Sequence, residues 1–475
     1  MGECNCWKRA YVLLLLGTAT VITSPAQTFT TLHSFDYTDG QAPYGLVQGT
    51  NGDLYGTTYS GGAKDDGTVF KITPTGILTM LYSFCSAYPC QDGAEPGTGL
   101  VQANNGDFYG TTQNGGADGY GTVFKITPSG TLTTLHSFDG TDGANPYAGP
   151  VQASNGDFFG TTQNGGTNNK GTVFKITPSG TLTTLHSFDG TDGELPYAKL
   201  VQVTDGNLYG TTQAGGANGV GTVFKITPSG ALKTLYSFCS QSDCTDGELP
   251  SAGLIQAANG DLYGTTAYGG SGSDGTVFKI TLGGGLTTLH SFDGTDGANP
   301  NGGSLIHATD GGLYGTTAYG GTDTTGCGGI GCGTVFKITP SGTLTILYSF
   351  CSQNGCTDGD YPVAGLLQDT NGHFYGTTAM GGANGYGTVF GLSVGLGPFV
   401  QTQPVSGKAG AAVRILGTKL TGATSVKFNG TAAVFKVVSG SLITTTVPAG
   451  ATTGEVKVKT PRGTLNSNVD FRVKR

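Results

Sequence analysis

Charged residues are scarce in this sequence: they make up only 11% of its 475 residues, and strong helix formers are few throughout. In their place the chain carries 86 glycines and ten cysteines. This balance is unusual for a helical cytosolic enzyme and typical of a turn-rich protein built from strands. The composition therefore predicts an all-β exported protein.

Long hydrophobic runs are also missing, apart from one short run near the start. Lys8 and Arg9 precede the apolar residues 10–16, and the small residues 24–26 follow. This order is typical of a secretory signal peptide, and the run is too short for a membrane span, which needs about 20 apolar residues. We predict that residues 1–26 are a signal peptide and that the mature chain, without a transmembrane segment, is secreted, periplasmic or at the cell surface.

Unpaired cysteines are absent from the predicted mature chain. Its eight cysteines form four Cys-x4-Cys pairs: Cys85 with Cys90, Cys239 with Cys244, Cys327 with Cys332, and Cys351 with Cys356. A structural zinc site is the alternative, but it needs four converging ligands, and export favours oxidation. We therefore predict four local disulfides, each contributing about 2 kcal/mol because the closed loop is short.

A unit of about 50 residues is repeated seven times. The motif "YGTT" or "FGTT" begins at Tyr55, Tyr109, Phe159, Tyr209, Tyr263, Tyr314 and Tyr375. Each copy is followed by "GTVF", and each unit contains four short apolar or β-branched runs separated by turn residues. Four strands in about 50 residues is the size of a propeller blade.

The two ends of the repeat region complement each other. The first unit begins with the strand pattern "FTTLHSF" at residues 29–35, whereas the last unit ends without one. An open solenoid or β-helix would need no such exchange. The sequence therefore predicts a seven-bladed β-propeller over residues 27–395, closed by its N-terminal strand.

Strand order predicts two unlike faces. Antiparallel strands place the outer-to-inner crossovers and the second-to-third loops together, which we call the crossover face. The short "NGD" and "TPSG" turns lie on the other side, the tight-turn face. All four cysteine pairs and the loops of variable length fall on the crossover face, where we expect a ligand to bind.

The repeats, which read "NGDLYGTT…GG…GTVFKITPSGTLTTLHSF", resemble those of GloVer-containing, choice-of-anchor bacterial proteins. The resemblance implies an exported or surface protein of unassigned activity. Residues 397–475 resemble an IPT/TIG domain, which implies an immunoglobulin-like β-sandwich. Matching positions are Gly407, Gly410, Gly417, Phe428, Gly430, Pro448, Gly454, Pro461, Gly463 and Phe471.

The two regions carry opposite charge. From residue 401 onward there are 11 basic and two acidic residues, net +9, whereas the repeat region is net −18. Solvated surfaces of opposite sign, docking of one region on the other, and adhesion to an anionic polymer all fit this pattern.

Every crossover contains the pattern Asp-Gly-x-x-Pro. Its aspartates are Asp39, Asp92, Asp142, Asp192, Asp246, Asp296 and Asp358. Seven carboxylates at one mouth could hold a structural Ca2+, the only cofactor that the sequence suggests. Alternatively each aspartate caps its own turn, and sevenfold repetition favours this interpretation because a structural need recurs in every unit.

Catalysis would require residues that break the symmetry. Glu95, Glu194, Glu248 and Asp360 occur only in some crossovers, and a pair of them could serve as acid and base in glycoside cleavage. Exposed loop charges are the simpler interpretation. His307 and His373 have no evident nucleophile partner. No catalytic residue can be assigned.

The sequence thus favours an exported, monomeric, non-catalytic binding or adhesion protein that recognises a polysaccharide or a cell-surface protein. A carbohydrate-active hydrolase or lyase and a purely structural surface protein are the alternatives. Export makes nucleic acid an unsuitable partner.

Overall fold

The computed structural model describes residues 27–97, 99–300, 303–322 and 327–474. The described chain is all-β, apart from two short 3-10 helices, Ser242–Cys244 and Asn354–Cys356. The predicted signal peptide, Cys4 and Cys6 included, lies outside these residues. Within the described ranges no helix is long and apolar enough to cross a membrane.

The described residues of the repeat region form seven four-stranded antiparallel sheets. Each sheet takes the number of the repeat unit that supplies its innermost strand. The N-terminal strand is β1 (Thr28–Ser34). The first sheet is β2 (Gln41–Gln48), β3 (Leu54–Ser60), β4 (Thr68–Ile72) and β5 (Leu78–Ser83). The second is β6 (Val101–Gln102), β7 (Phe108–Thr112), β8 (Thr122–Ile126) and β9 (Leu132–Ser137). The third is β10 (Val151–Gln152), β11 (Phe158–Thr162), β12 (Thr172–Ile176) and β13 (Leu182–Ser187).

The later sheets repeat this order. The fourth is β14 (Val201–Gln202), β15 (Leu208–Thr212), β16 (Thr222–Ile226) and β17 (Leu232–Ser237). The fifth is β18 (Ile255–Gln256), β19 (Leu262–Thr266), β20 (Thr276–Ile280) and β21 (Leu286–Ser291). The sixth is β22 (Ile306–His307), β23 (Leu313–Thr317), β24 (Thr334–Ile338) and β25 (Leu344–Ser349). The seventh is β26 (Leu367–Gln368), β27 (Phe374–Thr378), β28 (Thr388–Ser393) and β1.

The N-terminal strand supplies the outer strand of the seventh sheet. β1 pairs antiparallel with β28, so that Thr28 lies opposite Ser393 and Ser34 opposite Thr388. The ring of Phe29 stacks on Tyr348 with 3.8 Å between centroids. The two ends of the repeat region therefore share one sheet, as the sequence predicts.

The repeated motif is explained by packing inside each sheet. In the second sheet Gly110 of "YGTT" faces Phe124 of "GTVF", and a Cβ at this glycine would lie 2.6 Å from the Phe124 ring. The hydroxyls of Thr112 and Thr122 are buried and 2.8 Å apart. A glycine under a phenylalanine and a buried threonine pair thus account for the two motifs.

Glutamine side chains join neighbouring units on the tight-turn face. Thr50 N–H donates to Gln102 Oε1 at 3.0 Å, linking the first unit to the second. In the other links the backbone N–H likewise donates to a glutamine Oε1: Asn104 to Gln152, Ser154 to Gln202, Thr204 to Gln256, Thr309 to Gln368 and Thr370 to Gln48. The last of these joins the seventh unit to the first. Between the fifth and sixth units His307 occupies the glutamine position, and the described residues form no such link there.

The C-terminal region packs two four-stranded sheets face to face. One contains β29 (Val400–Gln403), β31 (Ala412–Gly417), β35 (Leu442–Thr446) and β34 (Phe435–Val437). The other contains β33 (Thr431–Ala432), β32 (Ser425–Phe428), β36 (Val456–Thr460) and β37 (Gly463–Asn466). A short parallel pair, β30 (Ser406–Gly407) and β38 (Arg472–Val473), lies beside them. Ile415, Val426 and Phe428 lie in their common core.

This basic region docks on the tight-turn face of the repeats. Ser441 Oγ donates to the Thr50 carbonyl oxygen at 2.9 Å, and Arg472 Nη1 donates to the Thr204 carbonyl oxygen at 2.7 Å. The hydroxyls of Thr370 and Thr418 are 3.1 Å apart. The arrangement favours the docking interpretation of the charge asymmetry, although the acceptors are carbonyl oxygens rather than carboxylates, and it leaves the crossover face uncovered.

One buried acid lies at this junction. Asp369 is 2% exposed and stands where the other units have Gly, Ala or Val, and its burial raises the pKa of the carboxyl to about 6. Because the folded pKa is above the unfolded value, this group's contribution to stability is present at acid pH and is lost as the pH rises through about 6.

We therefore expect Asp369→Ala to raise the free energy of unfolding by roughly 2–3 kcal/mol at pH 8 and to give little gain near pH 4. Urea unfolding at the two pH values measures it, with Asp470→Ala as an exposed control. A gain that does not depend on pH would contradict the assignment.

Candidate functional site

The seven crossover aspartates lie beside the outer strands, where each is held by its own loop. In four units the carboxylate accepts a hydrogen bond from, or pairs with, a histidine, as in His136 Nε2 to Asp142 Oδ2 at 2.7 Å. The other such pairs are His33 with Asp39, His186 with Asp192, and His290 with Asp296. In the remaining three units the donor is a tyrosine hydroxyl: Tyr82 to Asp92, Tyr236 to Asp246, and Tyr348 to Asp358.

Each of these aspartates also accepts a backbone N–H from the loop before it, such as that of Asp139 on Asp142 and of Ser240 on Asp246. No three of the seven carboxylates converge among the described residues, whose metal-like groups all involve cysteine. The geometry favours the turn-capping interpretation. Calcium binding at these residues stays a prediction.

The choice between histidine and tyrosine follows the cysteines. Tyrosine occurs in the three units whose crossover carries a disulfide, where the aspartate lies ten residues further on instead of six. In the short crossovers an aspartate such as Asp139 forms the turn by accepting from the N–H and hydroxyl of Thr141. The disulfide loop replaces that turn, and the longer tyrosine side chain reaches the same acceptor.

All four predicted disulfides are present: Cys85–Cys90, Cys239–Cys244, Cys327–Cys332 and Cys351–Cys356. The last two touch, with 3.7 Å between the Sγ atoms of Cys327 and Cys351. These four sulfur atoms lie within 4.8 Å of one another, the convergence that a zinc site would need, but they are bonded in pairs. The local disulfide prediction is confirmed.

The acids that break the symmetry have separate partners. Glu95 accepts hydrogen bonds from Tyr59 Oη and Asn114 Nδ2, and Glu194 forms an ion pair with Lys170. Among the described hydrogen bonds, Glu248 takes part only through its backbone, which pairs with Tyr268. Asp360 is half-buried near Cys327, and burial raises the pKa of its carboxyl. No two of the four share a partner among the described hydrogen bonds, so the structure does not assemble them into an acid and base pair.

His307 and His373 lie on the tight-turn side, at the end of β22 and in a turn. Burial lowers the pKa of His307. Neither histidine has a nucleophile partner among the described contacts.

A central cavity of about 660 Å³ opens among the crossovers. Every unit contributes to its wall residues that lie between the crossover proline and the inner strand, such as Tyr44 in the first unit and Val363 in the seventh. Because seven equivalent segments converge there, any difference among them shapes the cavity. Three units place tyrosine at this position, and one of the seventh unit's residues, Tyr361, joins them.

The tyrosines form a continuous cluster. Tyr147 and Tyr197 stack with 3.7 Å between ring centroids, and the hydroxyl of Tyr147 donates to that of Tyr44 at 3.0 Å. All are partly exposed, and burial raises the pKa of Tyr197 to about 12, so the hydroxyls stay protonated at neutral pH. The cluster offers aromatic faces and hydroxyl groups to the cavity.

One charged side chain lines this cavity. Lys199 is exposed and lines the cavity, and desolvation by the surrounding residues lowers the pKa of its amine. Among the described lining residues there is no Asp, Glu, Arg or second Lys.

The tyrosines and Lys199 were not among the candidates predicted from the sequence, which were carboxylates, histidines and cysteines. The available signal was the position after the crossover proline, where Tyr44, Tyr147 and Tyr197 contrast with Gly97 and Ser251. Side chains that vary within a repeated frame mark where the units differ in chemistry.

The crossover face also exposes large apolar side chains. Tyr88 is 93% exposed. Tyr120, Tyr268, Ile330 and Met380 are exposed in the second-to-third loops of the same face. Exposed apolar groups clustered on one face are typical of an interaction surface.

Solved structures with a related fold have low sequence identity. The extracellular domain of a candidate hybrid two-component system from Bacteroides thetaiotaomicron is 12% identical with a TM-score of 0.51; the match covers 93% of this chain and 58% of that one. A Bacteroides thetaiotaomicron protein of unknown function is 15% identical with a TM-score of 0.42, over 78% of this chain and 76% of that one. The periplasmic gluconolactonase of Pseudomonas aeruginosa is 17% identical with a TM-score of 0.44, over 72% and 99%. No curated protein matches the sequence.

Family models match nearly the whole described chain. The Gloeobacter/Verrucomicrobia repeat matches residues 15–203, 130–327 and 192–390, and the IPT/TIG domain matches residues 400–473. These ranges coincide with the seven sheets and with the C-terminal pair of sheets. The chain belongs to the Gloeobacter/Verrucomicrobia repeat family and ends in an IPT/TIG domain.

Proposed function

We propose that this chain is an exported, non-catalytic binding protein that recognises a glycan in the tyrosine-lined cavity of its crossover face. The observation that carries the proposal is the tyrosine cluster in a cavity lined by all seven units, where Tyr147 stacks on Tyr197 and donates a hydrogen bond to Tyr44. Tyrosine combines an apolar ring face with a polar tip, which suits the apolar faces and hydroxyls of sugars. The cavity is within the size range of small-ligand sites.

The proposal includes a closed seven-bladed β-propeller as the scaffold. Three observations support closure: β1 completes the sheet of the last unit, Gln48 joins the seventh unit to the first, and one core cluster contains Phe35, Phe70 and Tyr375 from both ends of the repeats. A rigid ring would hold the seven cavity segments in fixed positions.

Export is the second part of the proposal. Four disulfides fit an oxidising compartment, because the cytosol keeps most thiols reduced. The basic residues and apolar run before residue 26 fit a cleaved signal.

A hydrolase or lyase would need two acids facing one bond. Glu95 and Glu194 are engaged by separate local partners, and no carboxylate lines the described cavity. Binding without catalysis is therefore the function that this geometry supports best. A protein partner on the exposed apolar loops is the alternative ligand.

The test is a glycan-array screen of the mature protein, followed by calorimetry with the best ligand. We expect Tyr197→Ser to weaken binding at least 10-fold, because it removes the stacked ring. The fold should tolerate the substitution, since the fifth unit has Ser251 at the equivalent position.

Tyr268→Ala is the matched control, since Tyr268 is exposed on the same face but does not line the cavity. If Tyr268→Ala weakens binding and Tyr197→Ser does not, the ligand binds the loops and the cavity assignment is wrong.

A further inference from the structure

Lys199 breaks the sevenfold pattern at the rim where the inner strands begin. The equivalent residues of the other units are small: Gly45, Gly99, Gly149, Gly253, Ser304 and Gly365. A single unit therefore places a long cationic side chain where the rest have almost none.

The small residues at this level have a steric reason. A Cβ at Gly99 would lie 2.7 Å from the Gly45 carbonyl oxygen, and one at Gly365 would lie 2.9 Å from that of Ser304. Neighbouring units thus approach closely beneath the cavity. The other units form the same structure with glycine or serine at this position, so the fold itself does not require a lysine there.

The charge around Lys199 is unbalanced. The repeat region is net −18, yet no carboxylate is among the described residues that line this cavity with the lysine. Desolvation lowers the pKa of the amine, and Lys199 forms no ion pair with the described residues. An anionic ligand group would supply the missing partner and favour the ammonium form.

We propose that the cavity binds an anionic sugar, whose carboxylate or sulfate group contacts Lys199 while a neighbouring ring stacks on the tyrosine cluster. This inference rests on the proposed glycan-binding function and specifies its ligand class. The tyrosine hydroxyls can bind sugar hydroxyls of any ligand, whereas the single cation favours a ligand that carries an acidic group.

Calorimetry with three tetrasaccharide probes tests the inference: tetragalacturonate, its full methyl ester, and a sulfated galactan. We expect one anionic probe to bind at least 10-fold more tightly than the methyl ester. Lys199→Gly, which restores the residue of other units, is expected to remove that difference and to reduce the dependence of affinity on salt.

Lys233→Thr is the matched control. It removes one positive charge from the same unit at an exposed outer-strand position where other units have threonine, so the preference should persist. Thermal unfolding of both variants checks that the fold is intact.

Each outcome decides between the two proposals. Equal binding of charged and uncharged probes, unchanged by Lys199→Gly, would overturn the anionic ligand and leave glycan binding standing. If Lys199→Gly and Lys233→Thr weaken binding of the anionic probe equally, the preference reflects only the net charge of the protein, and the proposed contact with Lys199 is overturned. Failure of all probes, together with a blank glycan array, would overturn both.

Discussion

Deleting residues 27–36 is expected to leave a protein that aggregates. The deletion removes all of β1 and the fully buried Phe35, so β28 becomes an unpaired edge next to an opened core. Exposed strand edges and apolar surface promote association between chains. Size-exclusion chromatography and light scattering of the mature protein measure the result.

A point substitution measures how much the N-terminal segment contributes to stability. Phe35→Ala is expected to lower the free energy of unfolding by about 3–5 kcal/mol, the usual cost of removing a fully buried phenylalanine. Thr30→Ala, at an exposed position of the same strand, should cost less than about 0.5 kcal/mol. A deletion variant that stays monomeric and equally resistant to heat would refute the closed ring.

Replacing one crossover aspartate is expected to destabilise the fold without any effect of calcium. Asp246 is fully buried and accepts hydrogen bonds from Tyr236 Oη at 2.7 Å and from Ser240 N–H at 2.9 Å. Asp246→Ala leaves both donors without this acceptor, and we expect a loss of roughly 3 kcal/mol. Urea unfolding with and without EDTA measures it.

The same loop provides the control. Asp243 is exposed with φ of 57°, a conformation that glycine adopts more readily, and the equivalent residue is Gly355. Asp243→Gly removes a carboxylate and should not destabilise the protein. If EDTA destabilises the wild type but not Asp246→Ala, the aspartates bind calcium and the turn-capping interpretation fails.

The sequence was sufficient to predict an all-β chain of repeated four-stranded sheets because each repeated residue has a recurring structural role. The strand register is indicated in each copy by a glycine that faces a phenylalanine and by a threonine pair, as with Gly110 and Phe124 in the second unit. The segment "FTTLHSF" indicates the strand that pairs with the last unit. The cysteine pairs were predictable because five-residue separation leaves little choice of partner. Residues repeated in the sequence therefore occupy equivalent positions in the seven sheets.

The site was less predictable for the opposite reason. Tyr147 and Lys199 are separated by more than one unit in the chain, and only the convergence of all seven crossovers places them around one cavity. The outer position of Asp142 likewise depends on its contact with His136, six residues earlier, which the sequence pattern alone did not connect. Docking of the IPT/TIG domain through Arg472 and Ser441 could not be deduced from net charge, because their acceptors are backbone oxygens.

The glutamine links make the joints between units unequal. Six junctions carry a side-chain bond such as Thr50 to Gln102, and the described residues form none at the junction before His307. Local opening of the interface between the fifth and sixth units should therefore be easier than at the other junctions, while the continuous polypeptide keeps these two units connected.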